Sequence, residues 1–443
     1  MLRMMGQIAG IGGLAICVFL LLFRNIIGKA IFPKLTKEQA YKLLNRIVFL
    51  IFLLAIVGIA SWTFVEVLSK NSSNTQNLNN TRWKEVSVFG YEQNRKIIWE
   101  ADWRDIYWLS NREGWLCGVI REGGGYGDIG IGRLLHTING GETWNEVREF
   151  PAGQGEFTWG PKGSREYTWN NIGPMYSIQF TKRFLGSDDF IVEGLLATAT
   201  GIYYTQDGGT QWKRMTPPPD HPDRYAFFFR IADIENFGEI YAVGWQGIAH
   251  WPTMDGGWEV QMPTYDHEIV SIYAVGGSEN RNVWAVGRAG VDDQIYGETL
   301  SHGAIYHLDW PANRWKKMPL PGVEFELEQT LWDILLIDKE TTFAVGQKGL
   351  IIHGSRKKNH TWVWSKLPKK TDESLVSITY DGATLWILGE YGVILKSIDK
   401  GNHWTKLNII KNVKETPVYL RHIRFFNNQG WIVGKDIVLK LER

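Results

Sequence analysis

Three glutamates are the first candidates for acid–base chemistry in this chain of 443 residues: Glu142, Glu193 and Glu268. Nothing in their spacing pairs them, whereas glycosidic hydrolysis needs two carboxyl groups that flank one bond. The ten His residues show neither His-Glu-x-x-His nor another ligand spacing, and the two Cys residues, Cys17 and Cys117, lie far apart. A Cys-based metal motif is therefore excluded. The sequence predicts no catalytic residues, no metal site and no cofactor.

Aromatic residues in loops rich in glycine and charge are the stronger candidates, and they indicate binding rather than catalysis. Exposed Tyr and Trp rings supply much of the contact energy in recognition surfaces. Seven such residues lie in long segments between apolar runs: Tyr126, Phe157, Trp159, Tyr167, Trp169, Tyr225 and Tyr296. The alternative interpretation is that these rings pack their own loops onto the body. Whether they share one surface depends on the elements that carry them.

Three segments share a pattern that predicts a tight turn between strands. They are TINGGETW (Thr137–Trp144), TQDGGTQW (Thr205–Trp212) and SIDKGNHW (Ser397–Trp404). In each, an Asp or Asn side chain bonds its own downstream backbone, a Gly takes a positive φ and a Trp opens the next strand. This Asp-box pattern gives nine residues a structural role: Asn139, Gly141, Trp144, Asp207, Gly209, Trp212, Asp399, Gly401 and Trp404.

Two further signatures repeat along the chain and predict the blades of a β-propeller. Short strands begin with Trp after a turn at Trp83, Trp144, Trp212, Trp258, Trp315, Trp364 and Trp404. Other apolar strands end in Gly, as in YAVG (Tyr241–Gly244) and WIVG (Trp431–Gly434). Each of these follows another apolar run, which gives four strands per unit of roughly 40–68 residues.

The two ends of the body indicate how the ring closes. Trp83 has no unit before it, and the last unit, Leu420–Leu441, has no Trp strand after it. Together they make one blade with an outer strand from the N-terminal end, which removes the exposed edges of an open array. The sequence therefore predicts an all-β, seven-bladed β-propeller over residues 82–443, with its N-terminal strand closing the last blade.

This topology assigns the loops to two faces. With strands numbered outward, an Asp-box turn joins the third strand to the fourth, and the opposite face carries the second-to-third loops and the links between blades. Five long segments fall on that opposite face: Arg121–Ile131, Phe150–Ile172, Thr216–Tyr225, Ala289–Gly303 and Pro319–Gln329. We therefore expect the seven candidate aromatic residues on one face, away from the Asp boxes.

Residues 1–69 are predicted to form a membrane anchor with two transmembrane helices, at about 7–23 and 46–66. The runs Ile8–Phe23 and Ile47–Val65 are uncharged, and the segment between them carries six Lys or Arg against Glu38 alone. The positive-inside rule puts this segment in the cytoplasm and the propeller on the periplasmic or extracellular side of the cytoplasmic membrane. A signal peptide is the alternative for the first run, and a re-entrant first segment would invert the orientation. Residues 70–81 are predicted to be a flexible linker.

Charge argues against nucleic acid as a partner. Residues 1–70 hold eight Lys or Arg and two Asp or Glu, while the remainder holds 40 and 45. Nonspecific nucleic-acid binding relies on basic charge that meets phosphate, and the body is slightly acidic.

The Asp boxes, combined with strands such as AVGQKGLIIHGS and ILGEYGVILKSIDKGNHW, resemble propellers of the photosystem II stability and assembly factor type, which carry bacterial neuraminidase (BNR) repeats. The resemblance covers residues 82–443 and excludes the two-helix anchor, which is not typical of the family. It implies a noncatalytic propeller that binds a protein partner.

A sialidase-like hydrolase shares the propeller and its Asp boxes, but its Arg-Ile-Pro signature has only a partial match here, FRIA (Phe229–Ala232), which lacks the Pro. We therefore expect no enzyme activity, and a membrane-anchored scaffold or assembly factor. Two alternatives stay open: an outward-facing propeller that binds or hydrolyses glycans, and a cytoplasm-facing sensor of a signalling or defence system.

Overall fold

The computed structural model describes residues 82–88, 99–122, 130–147, 157–159, 167–169, 173–184, 190–215, 228–234, 239–244, 247–251, 259–261, 268–278, 282–293, 298–309, 312–325, 329–407 and 418–442. The chain divides into two compact units, Met1–Thr81 and Arg82–Arg443. The predicted anchor and linker lie outside the described residues. Within the described ranges, no helix is long and apolar enough to cross a membrane.

Seven four-stranded antiparallel sheets confirm the seven-bladed propeller. The first strand is β1 (Arg82–Glu85), which belongs to the last blade. Blade 1 has β2 (Trp99–Trp108), β3 (Gly114–Glu122), β4 (Ile131–Thr137) and β5 (Asn145–Glu146). A two-stranded hairpin follows, β6 (Phe157–Trp159) and β7 (Tyr167–Trp169). Blade 2 has β8 (Met175–Phe184), β9 (Phe190–Thr198), β10 (Gly201–Thr205) and β11 (Lys213–Arg214).

The next three blades follow the same order, from the inner strand outward. Blade 3 has β12 (Phe228–Ile234), β13 (Glu239–Gly244), β14 (Gly247–Trp251) and β15 (Glu259–Gln261). Blade 4 has β16 (Glu268–Ser278), β17 (Asn282–Asp293), β18 (Glu298–Asp309) and β19 (Arg314–Lys317). Blade 5 has β20 (Leu331–Asp338), β21 (Thr341–Gly346), β22 (Leu350–Arg356) and β23 (Trp362–Lys366).

The final two blades complete the ring. Blade 6 has β24 (Leu375–Tyr380), β25 (Leu385–Gly389), β26 (Ile394–Ser397) and β27 (Thr405–Leu407). Blade 7 has β28 (Leu420–Phe426), β29 (Gln429–Gly434), β30 (Ile437–Glu442) and, as its outer strand, β1. The pairing of Trp83 with Leu441 sets the register of this closure. Short 3-10 turns, Gln347–Gly349 and Glu390–Gly392, join the second and third strands of blades 5 and 6.

The hydrophobic core consists of seven clusters, and each lies between two neighbouring blades. One of them joins Trp108 and Leu116 of blade 1 to Trp431 and Val433 of blade 7, so the seam between first and last blade is packed like the others. The Trp108 and Trp431 rings stack there with centroids 4.6 Å apart. Continuous burial around the ring explains why a chain with short strands holds together.

The three Asp-box turns share one hydrogen-bond pattern. In blade 2, Thr205 Oγ1 donates to Asp207 Oδ1 (2.7 Å), and the same carboxylate oxygen accepts the N–H of Gln211 (2.9 Å). The N–H of Gly209, at φ +89°, donates to Thr205 Oγ1 (3.0 Å). Asn139 and Asp399 accept the corresponding backbone bonds in blades 1 and 6. The Trp212 indole then donates to Gly209 O (3.0 Å), which ties the next strand to the turn.

Two of the expected loops are strands. Most of Ala289–Gly303 extends the β17–β18 ladder, in which Asp293 pairs with Glu298. Within Phe150–Ile172, β6 and β7 form a separate hairpin. The alternation of apolar and polar residues that marks a strand is hard to recognise in such short segments, and their turn-forming residues therefore predict loops.

Candidate functional site

The described residues identify two faces of the propeller. The link face is the end at which the inner strands begin: the turns after the second strands bond there to the residues that lead into the inner strands. Gln347 N donates to Thr330 O (2.9 Å), and Glu390 N donates to Ser374 O (2.8 Å). The Asp-box turns lie at the other end, where Gly140 N donates to Arg112 O in the first turn of blade 1 (2.8 Å).

Four of the seven candidate aromatic residues lie in the β6–β7 hairpin. The register pairs Phe157 with Trp169 and Trp159 with Tyr167. Tyr126, Tyr225 and Tyr296 lie outside the described residues.

A second set of residues, which the sequence did not single out, surrounds the propeller axis. Every inner strand has a β-bulge near the link face, at which two residues oppose one on the second strand. We call the first residues of the seven bulges the bulge ring and the residues that follow them the hub ring. The bulge ring is Arg104, Tyr176, Phe229, Tyr273, Trp332, Val376 and Arg421. The hub ring is Asp105, Ser177, Arg230, Ala274, Asp333, Ser377 and His422.

Four consecutive members of the bulge ring form an aromatic arc across blades 2 to 5. Tyr176 packs edge-on against Phe229 with ring centroids 5.3 Å apart. Phe229 stacks on Tyr273 at 5.5 Å, and Tyr273 contacts Trp332 at 4.5 Å. All four side chains are half-buried, so the arc keeps some exposed aromatic surface. Rings at these distances attract one another beyond the area they bury, which fixes the arc in place.

Arginines continue the bulge ring on either side of a buried carboxylate. The Arg104 guanidinium lies 5.7 Å from the Tyr176 ring and pairs with Asp102. Arg421, from blade 7, donates twice to the same carboxylate, at 2.9 and 3.2 Å. Burial alone would raise the pKa of Asp102, but the positive charges of the two guanidinium groups have the larger effect and hold the pKa below its ordinary value. Asp102 is therefore ionised and holds both arginines at the edge of the arc.

The hub ring is mostly polar and is hydrogen-bonded across the axis. Fully buried Asp105 accepts from Ser177 Oγ (3.0 Å), from Arg424 (3.0 Å) and from His422 Nδ1 (2.6 Å). On the far side of the axis, Asp333 Oδ2 lies 3.7 Å from an Arg230 nitrogen. Burial would raise the pKa of Asp105, but the charge of Arg424 and the bond from His422 hold it well below its usual range.

His422 joins the two halves of the hub in one protonation state. Its Nε2 lies 2.6 Å from Arg230 Nη1, which can only donate, so Nε2 accepts this hydrogen bond. The proton of the neutral imidazole is therefore on Nδ1, which donates to Asp105. Burial, assisted by the charge of Arg230, lowers the pKa of His422. Because these side chains from blades 1, 3 and 7 bond at short distances, they fill the axis below the bulge ring. A ligand on the arc would rest on this layer.

At the blade 1 edge of the arc, the ion pairs of the described residues do not include the Arg121 guanidinium. Glu100 pairs with Lys435 at 2.9 Å, and Asp436 Oδ1 accepts from Ala101 N at 2.8 Å. Arg121, half-buried in β3, interacts electrostatically with Asp102 and Tyr176. No carboxylate among the described residues forms an ion pair with Arg121.

The three candidate glutamates are not brought together. Glu142 is exposed in the blade 1 Asp box, Glu193 is fully buried in blade 2, and Glu268 begins the inner strand of blade 4. Within the described part of the chain, no group of three His, Cys, Asp or Glu side chains has the arrangement of a metal site. The buried Cys117 thiol has a pKa raised well above its ordinary value by burial, so it is a poor nucleophile.

A signal for the bulge ring is present in a glycine that recurs in the second strands. In six blades this Gly pairs with the residue just before the bulge, and Thr198 takes its place in blade 2. A Cβ at Gly346 would lie 2.2 Å from Thr330 O, and one at Gly434 would lie 2.2 Å from Tyr419 O. The glycine has no side chain, and it therefore leaves room for the backbone of the inner strand next to the bulge. Aligning the inner strands on this glycine would collect Tyr273 and Trp332 into one set.

These features define the class of the protein: a seven-bladed β-propeller with Asp-box turns, a filled axis and an aromatic surface on its link face. The family resemblance expected from the sequence is confirmed. Residues 311–421 match the model of the family described as photosynthesis system II assembly factor YCF48. No curated protein sequence matches the chain.

Three solved structures are similar to the chain at low sequence identity. A structure of YCF48 bound to D1 peptide is 17% identical, with a TM-score of 0.51, over 81% of this chain and 98% of that one. YCF48 from Cyanidioschyzon merolae is 16% identical, with a TM-score of 0.49, over 82% and 98%. An ancestral GH74 enzyme is 12% identical, with a TM-score of 0.47, over 77% and 53%. The likeness to the first of these structures, at 17% identity, shows the fold alone.

Proposed function

We propose that the protein is a membrane-anchored, noncatalytic propeller that binds a protein partner on its link face, as a scaffold or assembly factor. The aromatic arc is the observation that carries this proposal. The arc offers half-exposed aromatic rings beside arginines that a buried carboxylate holds. Aromatic residues and Arg are the residue types that contribute most of the binding energy in protein interfaces. The YCF48 family match and the D1 peptide bound by one YCF48 structure support a protein ligand.

The anchor and its orientation are part of the proposal and rest on the sequence of residues 1–69. Protease treatment of intact cells or spheroplasts, with a C-terminal tag followed by blot, tests the orientation. We expect the propeller to be cleaved while a cytoplasmic marker survives. A tag that stays protected until lysis would place the propeller in the cytoplasm and would favour an intracellular sensor.

Blade 6 offers a matched pair of variants that tests the choice of face. Tyr391 is 54% exposed on the link face and Ile398 is 49% exposed in the Asp-box turn at the other end of β26. Tyr391 has φ +54°, which Asn tolerates, so Tyr391→Asn removes the ring without backbone strain. We expect co-purification of the partner with the tagged full chain to fall in Tyr391→Asn and to persist in Ile398→Asn. Equal capture by both variants would contradict the assignment.

A further inference from the structure

The composition of the arc and its edge indicates what part of a partner it would contact. Tyr176, Phe229, Tyr273 and Trp332 present uncharged aromatic rings, whereas the described carboxylates at the blade 1 edge, Asp102, Asp436 and Glu100, are already bonded. Among the described residues at the blade 1 edge of the arc, Arg121 forms no ion pair; it lies in β3 opposite Glu100, and its charge acts on Tyr176. An apolar surface beside such a cation is complementary to an aromatic ring beside a carboxylate.

The surroundings strengthen the charge argument. Residues 71–443 hold 40 Lys or Arg against 45 Asp or Glu, so the body as a whole would repel an acidic segment. Among the described residues where blades 1 and 7 border the arc, the balance reverses: the cations are Arg104, Arg121, Arg421 and Lys435, and the carboxylates are Glu100, Asp102 and Asp436. A local cationic surplus on an acidic body selects where an anionic group docks.

Resting on the proposed function, we propose that the aromatic arc, with Arg121 at its edge, binds a short extended segment of the partner in which an aromatic side chain lies next to a carboxylate. The aromatic ring packs on Phe229 and Tyr273, and the carboxylate meets the Arg121 guanidinium. The carboxylate can come from an Asp or Glu side chain or from the C-terminus of the partner. The filled hub ring beneath means that the segment lies across the axis and does not thread through it.

Synthetic peptides binding to the full-length protein in detergent micelles test this chemistry by fluorescence anisotropy. The parent peptide is a capped Gly/Ser dodecamer with a central Phe-Asp pair, and it is compared with Ala-Asp and Phe-Asn versions. A Phe-Asn version that ends in a free carboxylate separates a side-chain source from a C-terminal one. We expect removal of either the ring or the charge to weaken binding about fivefold or more.

Variants connect each peptide group to its counterpart on the protein. Arg121→Gln should weaken the Phe-Asp peptide about fivefold and leave the capped Phe-Asn peptide unchanged. Phe229→Leu keeps apolar volume, and it should weaken the Phe-Asp peptide and spare the Ala-Asp one. Arg112→Gln, an exposed arginine of blade 1 on the Asp-box face, is the control and should change neither. Circular dichroism of each variant confirms folding.

Two results would overturn the proposal: equal binding of all capped peptides, or an Arg121→Gln effect that does not depend on the peptide carboxylate. Either could occur while partner capture still depends on Tyr391. In that case the link face would remain the interface, and only the aromatic–acidic ligand would be wrong.

Discussion

The clearest energetic prediction concerns Asp105, the carboxylate at the centre of the hub. It is fully buried and accepts from the N–H groups of Ile106 (2.8 Å) and Ile178 (3.0 Å) as well as from Ser177, His422 and Arg424. Asp105→Ala leaves a buried imidazole and a guanidinium that is 23% exposed without their anion. Breaking a buried ion pair from one side costs about 3–5 kcal/mol, so the free energy of unfolding should fall by that amount.

Urea unfolding of the full-length protein, followed by Trp fluorescence, measures this loss. Asp372→Ala is the matched control, because its side chain is 92% exposed and pairs with the exposed Lys369, and it should leave the free energy of unfolding nearly unchanged. Asp105→Asn keeps an acceptor but removes the charge, so it should fall between the two. If Asp105→Ala unfolds at the same urea concentration as the control, the hub does not stabilise the ring.

Three further predictions follow from the same packing. Gly346→Ala should lower the free energy of unfolding in urea by about 1–3 kcal/mol or more, because its Cβ would meet Thr330 O. Gly382→Ala should lower it by only about 1–2 kcal/mol, because Gly382 has open space around it and the only cost comes from its φ of +93°. Burial lowers the pKa of His307 to about 4, so folding disfavours the charged form of its imidazole. The contribution of His307 to the free energy of unfolding is therefore fully present above about pH 6.5 and is lost as the pH drops toward 4. His307→Gln should flatten the fall in stability between about pH 7 and 4.5. In a Cys17→Ser background, Cys117 should resist maleimide at pH 7.5 in the native protein and react once urea unfolds the ring, and rapid native labelling would contradict its burial.

The propeller could be predicted from the sequence because its signals are local and repeated. The Asp box fixes a turn through bonds among neighbouring residues, and Trp83 without a preceding unit indicated the closing strand. A seven-fold repeat lets weak signals reinforce one another, which single strands do not offer.

The surface around the axis could not be predicted in the same way. Arg104, Tyr176 and Trp332 have little in common as residue types, and they meet only because each occupies a bulge in a different blade. The contact of His422 with Asp105 joins residues 317 positions apart and depends on ring closure. In the sequence, aromatic residues in long loops look exposed, whereas aromatic residues in strands look buried, so nothing local marks the arc as a surface.

Photo-crosslinking in intact cells tests the central claim most directly. The substitution Tyr273→p-benzoylphenylalanine places a photoreactive ring at the middle of the aromatic arc, and the same substitution at Ile398 samples the Asp-box face. If the link face binds a protein partner, irradiation should give a discrete crosslinked species from position 273 and none from position 398. Crosslinks from position 398 alone, or equal yields from both, would contradict the assignment of the binding face.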